Sequence, residues 1–288
     1  MAIPKFVPVL ALLGITTLAT SLHAEVSTTL QFFGVLGPDL TFTEDDVRIV
    51  SDSQTRDDAT AQATAAASAD IGLGDLTAEA TGQLFVSSET GIAARAVGRA
   101  VDTLTIVGPG TDPVPVTFQM AVDGDLILPA SANGMGNGFA TVQALLGIVG
   151  TSETATLQWR RQYDGSGAIT SDTLTGVGDW LGEQPVVGTS NHFELLLQFD
   201  GEMVPGAPFD FEAELRAIVG TGGALGSDAI SDFGNTGTFT IILPSAYTFS
   251  SESGVFLAPE PGTSGLLAAV LGLLALAARR QRDERSDR

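Results

Sequence analysis

The chain has 288 residues, with 34 acidic against 13 basic side chains, a formal charge of −21 and no cysteine. Such a polyanion repels nucleic acid unless its cations cluster, and they cluster in sequence only at the extreme C-terminus, which excludes nucleic acid as a partner. Zero cysteines remove disulfide scaffolds, thiolate zinc and iron–sulfur sites and cysteine nucleophiles.

The first segment, residues 1–24, places one cation, Lys5, before an apolar run from Phe6 to Leu18, followed by small and polar residues. This is the pattern of a secretory signal peptide, helical in its apolar part and too short to span a bilayer at about 20 residues per crossing. Two cleavage bonds fit: after Ala24, or after Ser21, where Ala19 and Ser21 supply the better small-x-small pattern.

Residues 25–258 form the exported body. They hold 30 of the 34 carboxylates but only seven of the 13 bases, a formal charge of −23. Periodicity there is two. Between Thr55 and Gly72, alanines at every second position predict a strand, against alanine's own helix preference. Val116, Phe118, Met120 and Val122 alternate with polar or small residues; Leu157 and Trp159 make another such row. Val142–Val149 fits either a strand or a short helix. Phe193, Leu195, Leu197 and Phe199 follow, then Phe209, Phe211, Ala213, Leu215 and Ala217 against Asp210, Glu212, Glu214 and Arg216, then Phe239, Ile241 and Leu243. One dry face and one wet face is what an antiparallel strand on a core requires. Turn formers separate these rows at 107–110, 123–125, 164–167, 205–208 and 220–223. With no repeat and no linker, the pattern predicts a single all-β domain, an antiparallel β-sandwich of jelly-roll type.

The last segment, residues 259–288, runs in three steps. Pro259-Glu260-Pro261 is held extended by its two rings. Thr263–Ala278 carries no charge and is rich in Leu and Ala, predicting a helix of about 24 Å that nearly matches the roughly 30 Å hydrocarbon core. Arg279, Arg280 and Arg282 follow and, by the positive-inside rule, stop transfer with the tail in the cytoplasm.

Signal peptide, body, Pro-Glu-Pro, short apolar helix and arginine tail together resemble the PEP-CTERM family of bacterial surface proteins, the likeness covering residues 259 to about 282. The resemblance implies that Pro259, Glu260 and Pro261 are the motif read by an exosortase, a membrane processing enzyme. It also implies an inner-membrane precursor and a mature protein at the cell surface or in an exopolysaccharide matrix. The tail departs from the family pattern in continuing through Asp283, Glu284 and Asp287.

Chemistry in the body is sparse. Beyond the signal peptide there is one histidine, His192, which excludes a multi-histidine metal site, and no G-x-S-x-G, H-E-x-x-H, P-loop or G-x-G-x-x-G is present. Glu212 and Glu214, roughly 7 Å apart on one strand face, have a glycosidase-like spacing that any alternating acidic strand also gives. Asp123 and Asp125 flank Gly124 and are the candidate calcium ligands, calcium being the one cofactor this donor chemistry suits; Glu44-Asp45-Asp46 and Asp57-Asp58 are weaker clusters. Trp180 is a core residue or, less favourably, a glycan-stacking one. The expected protein is a non-enzymatic, structural or adhesive surface or matrix protein. The alternatives are a calcium-assisted carbohydrate-binding module and, behind it, a secreted glycan hydrolase.

Overall fold

In–out alternation continues through nearly the whole body of the computed structural model, which describes residues 25–34, 40–46, 49–57, 61–85, 88–127, 137–164, 168–181, 191–223, 228–233, 237–254 and 256. The expected signal peptide and the expected C-terminal sorting segment, with both expected helices, lie outside these residues. Every regular element among the described residues is a strand.

Two antiparallel sheets result. The first contains β1 (Glu25–Gly34), β2 (Leu40–Asp46), β6 (Ser88–Val107), β8 (Asn137–Ile148), β9 (Thr154–Tyr163), β10 (Ile169–Val177), β13 (Pro208–Gly223) and β16 (Thr248–Ser251). Its order is β10-β9-β8-β13-β6-β1-β2, with β16 on β6. The second contains β3 (Ile49–Asp57), β4 (Ala61–Asp70), β5 (Asp75–Leu84), β7 (Val114–Ile127), β11 (Asp179–Leu181), β12 (His192–Met203), β14 (Asp228–Phe233) and β15 (Gly237–Ile242). Its order is β11-β12-β7-β14-β5-β4-β3, and β15 also pairs with β5 and β7, end to end with β14. The pairs β5·β14, β6·β13 and β7·β12 are nested in sequence and alternate between the sheets.

The sheets pack through their apolar rows into a cluster that runs from Val26 to Phe256. Alanine's helix preference loses in β4 because its alternate alanines, 61 to 69, are all buried against small neighbours. These small residues let the sheets come close: a Cβ at Gly98 on β6 would stand 2.5 Å from the Ser68 carbonyl and 2.9 Å from that of Thr77. The expected strand at 55–72 is thus two strands, β3 and β4, followed by a turn at 71–74. The ambiguous stretch 142–149 lies in β8 up to Ile148, its inner row Val142, Ala144, Leu146 and Ile148 buried.

Two expected turns are corrected. Gly220–Gly223 is the end of β13, and Asp123-Gly124-Asp125 is continuous strand within β7. Gly124 is there because of a close approach: a Cβ would lie 2.3 Å from the Asp232 carbonyl and 2.5 Å from the Phe233 ring. The local glycine signal is the same for a turn and for such crowding.

Inner faces also hold polar groups. At one end Arg161 and Asp172, both 1% exposed, form an ion pair at 2.7 Å. Trp159 Nε1 donates to the same carboxylate at 2.6 Å, and Arg161 reaches the second sheet through Asn191 Oδ1 at 2.6 Å and the Leu126 carbonyl. Near the last strand, buried Asp102 accepts from Ser253 Oγ at 2.6 Å and from the Thr103 amide.

Candidate functional site: the outer face of the first sheet

Strand register decides which side chains share a surface. On the outer face of the first sheet, Phe33, Ala93, Gly220, Phe139 and Gln162 stand in one row across β1, β6, β13, β8 and β9. The next row holds Gln31, Arg95, Ile218, Thr141 and Arg160; beyond it come Thr29, Val97, Arg216, Gln143 and Gln158.

The first row sits in an open hollow of about 790 Å³. Its floor is low because Gly91, Gly220 and Gly222 contribute no side chains. Two of these glycines are required by crowding: a Cβ at Gly91 would be 2.1 Å from the Thr221 carbonyl, and one at Gly220 would strike the Phe139 ring at 2.5 Å. Phe139 lies over Gly220 with the Arg160 guanidinium 4.8 Å from its ring centroid. Phe33, 36% exposed, forms the opposite wall, and Asn137, Gln162, Asp164 and Thr170 supply a polar rim. A smaller hollow of about 220 Å³ lies farther along the same face, lined by Gln143, Gln158, Thr175, Glu214 and Arg216 among others.

Charge divides the two outer faces unequally. The first sheet's face carries Arg95, Arg99, Arg160 and Arg216, together with Glu25, Asp210, Glu212 and Glu214. Arg99 Nε pairs with Glu212 at 2.7 Å and Arg216 with Glu214. Arg95 Nη1 donates to Gln31 at 3.0 Å, while its Nε is buried without a hydrogen-bond partner among the described residues. Burial, and then the neighbouring Arg216, push the Arg95 pKa below its ordinary value, with Glu214 opposing.

The outer face of the second sheet carries Glu79, Asp123, Asp125, Glu194, Asp200 and Asp232, and no arginine in its described outward rows. The row His192, Asp125, Asp232, Glu79 crosses four strands. Burial, and then Asp232, raise the Glu79 pKa, and burial raises that of Asp102 against its hydrogen bonds. Both groups hold their proton more tightly folded than unfolded. The stability they confer is therefore complete below the unfolded value near 4 and is lost as pH rises through the raised folded values. The expected result is a higher Tm at about pH 5 than at about pH 8, the difference shrinking in a Glu79→Gln, Asp102→Asn double variant. An unchanged difference in that variant contradicts the assignment.

The sequence-derived candidates fall as follows. Pro259, Glu260, Pro261, Arg279, Arg280 and Arg282 lie outside the described residues. Asp123 and Asp125 are on one strand face rather than in a turn, with His192 Nε2 3.4 Å from Asp123 and Nδ1 3.6 Å from Asp125. Among the described residues no group of three or more His, Cys, Asp or Glu side chains is placed to hold a metal ion. Glu212 and Glu214 share a face as expected, but each is tied to its own arginine, side by side on β13. Trp180 packs against the core, partly buried.

Sequence reasoning missed the hollow and its arginines. The only local trace is glycine beside phenylalanine in Phe33-Gly34 and Gly138-Phe139, meaningful once the finish of β1 and the start of β8 lie side by side in one row across the sheet.

The described residues thus define an all-β, two-sheet antiparallel sandwich with a hollowed, arginine-bearing outer face. Comparison with known proteins adds no relative: no family model, no curated protein and no solved structure matches the chain.

Proposed function

We propose that the chain is an exported, non-enzymatic protein of the cell surface or exopolysaccharide matrix, and that residues 259–288 are its sorting signal. In this reading Pro259-Glu260-Pro261 is the substrate of an exosortase, 263–278 a membrane helix, and Arg279, Arg280 and Arg282 the stop-transfer group. Residues 1–24 are the signal peptide, and 25–258 a single domain with jelly-roll winding, for which the nested β5·β14, β6·β13 and β7·β12 pairs are the support. The observation that carries the reading is where the body finishes: Phe256, 4% exposed, is buried in the core three positions before Pro259. In this reading a motif so close behind a buried core residue is tethered beside the folded body, within reach of a membrane enzyme.

Intact mass tests it, measured on protein recovered from membrane and extracellular fractions of the host. Wild type is expected to lose its C-terminal segment, and a Pro259-Glu260-Pro261→Ala-Ala-Ala variant to keep it. An intact C-terminus in both removes the sorting role.

The hollow favours a second reading, a carbohydrate-binding module, because an exposed aromatic wall beside amides and hydroxyls suits sugar rings. Calcium enters this reading only through Asp123 and Asp125, which are on the other sheet's face. Retention of the full chain on a polysaccharide matrix is expected. Retention indifferent to chelator removes calcium, and no retention on any polysaccharide removes the reading.

A further inference from the structure

We propose that the outer face of the first sheet binds a carboxylated polysaccharide, whose acid groups are taken by Arg95 and Arg216 and whose sugar rings lie in the adjoining glycine-floored hollow. The proposal rests on the carbohydrate-binding reading and names its ligand class.

The cation placement is the first argument. In a body of formal charge −23 with seven arginines, four stand on this one face and the opposite face is acidic. A polyanion meets less repulsion at this face than at the acidic outer face of the second sheet, which has no arginine in its described outward rows. Arg95 is two residues from Ala93 on the same face of β6, so its Cα stands about 7 Å along the strand from the hollow's row.

Unsatisfied donor capacity is the second. Arg99 and Arg216 each have a carboxylate, whereas the hydrogen bond of Arg95 is to the neutral Gln31 amide oxygen. A guanidinium has five donors in a fork that matches a carboxylate. One carboxylate, Glu214, lies near both Arg95 and Arg216, so the central pair of guanidiniums is short of one negative charge.

Shape is the third. A trough floored by glycines, with the Phe33 ring exposed at one side and a second hollow farther along, accommodates a chain rather than a flat surface. That disfavours the pleated acidic face of a second copy, although its charge is complementary.

Calorimetric titration of the full-length chain in detergent, with polygalacturonate and with dextran, tests the proposal. Polygalacturonate is expected to bind, to weaken with salt, and to bind at least about tenfold more weakly to Arg95→Gln and Arg216→Gln. Glu214→Gln removes a competing carboxylate and is expected to bind roughly threefold to tenfold more tightly, a gain that misfolding cannot produce. Dextran bound as tightly, with the arginine variants unaffected, overturns the acidic class while leaving the carbohydrate reading intact. No binding of either polymer overturns both. Binding lost to chelator and indifferent to Arg95→Gln, or salt-sensitive self-association that occupies the face in the absence of polysaccharide, also overturns the proposal.

Discussion

Arg161→Ala is expected to destabilise the fold by about 3–5 kcal/mol, because it strands a buried carboxylate. Asp172 is 1% exposed and receives hydrogen bonds from Arg161 Nε and Nη2 and from Trp159 Nε1. Truncation takes the countercharge and two of its donors from that carboxylate, while the indole N–H remains. It also frees the Asn191 side chain and the Leu126 carbonyl from Arg161, and so weakens the tie between β9 in one sheet and the β7–β12 pair in the other. The arginine stem and its guanidinium, 5.1 Å from the Trp159 ring centroid, are lost as packing too. A double variant, Arg161→Met with Asp172→Leu, removes both charges at similar volume and is expected to recover most of the loss. Urea unfolding distinguishes the two: equal destabilisation by single and double variants would show that cavity formation, not the uncompensated charge, sets the cost.

This network marks the limit of what the sequence discloses. The row Leu157, Trp159, Arg161, Tyr163 alternates as an inward row must, yet its third member is an arginine, and alternation cannot say that a charge belongs inside. Its partner Asp172 is on the neighbouring strand in an otherwise polar stretch, and their meeting depends on the β9·β10 register. By contrast 116–122 and 209–217 were legible outright, because their sheets have one dry and one wet face and a period-two pattern follows directly.

The glycines explain most of what was misread. Gly124 and Gly220 carry a turn signal locally but stand in strands, where neighbouring backbone or rings leave no room for a Cβ. The hollow combines Gly91, Gly220, Gly222 and two phenylalanines from four strands scattered along the chain, so nothing within a short window announces it. The same long-range pairing gathers Arg95 and Arg216, which in sequence are isolated cations in an acidic body. The calcium candidates were visible as carboxylates two apart. That they face outward from a strand with His192 between them required the β7·β12 register.

Phe256→Ala is the second substitution with a large expected cost, about 3–5 kcal/mol. The ring meets Phe211 at 5.2 Å, Phe239 at 5.4 Å and Phe249 at 5.8 Å between centroids, and so joins both sheets and the last strand in one aromatic cluster. Phe211 in turn stacks on Phe118, which stacks on Phe199. Removing the terminal member opens a void beneath β16, which keeps its ladder with β6 and, just beyond it, the tie of the Ser253 hydroxyl to buried Asp102. Because that tie remains, the loss is expected to be partly local, with amide exchange at 248–254 accelerating more than in β6 or β13. Phe256→Leu keeps much of the volume and is expected to cost less than half as much. If Phe256→Ala left both Tm and exchange at 248–254 unchanged, the ring would not be anchoring the end of the body. The proposed tethering of Pro259-Glu260-Pro261 beside a finished fold would then lose its physical basis.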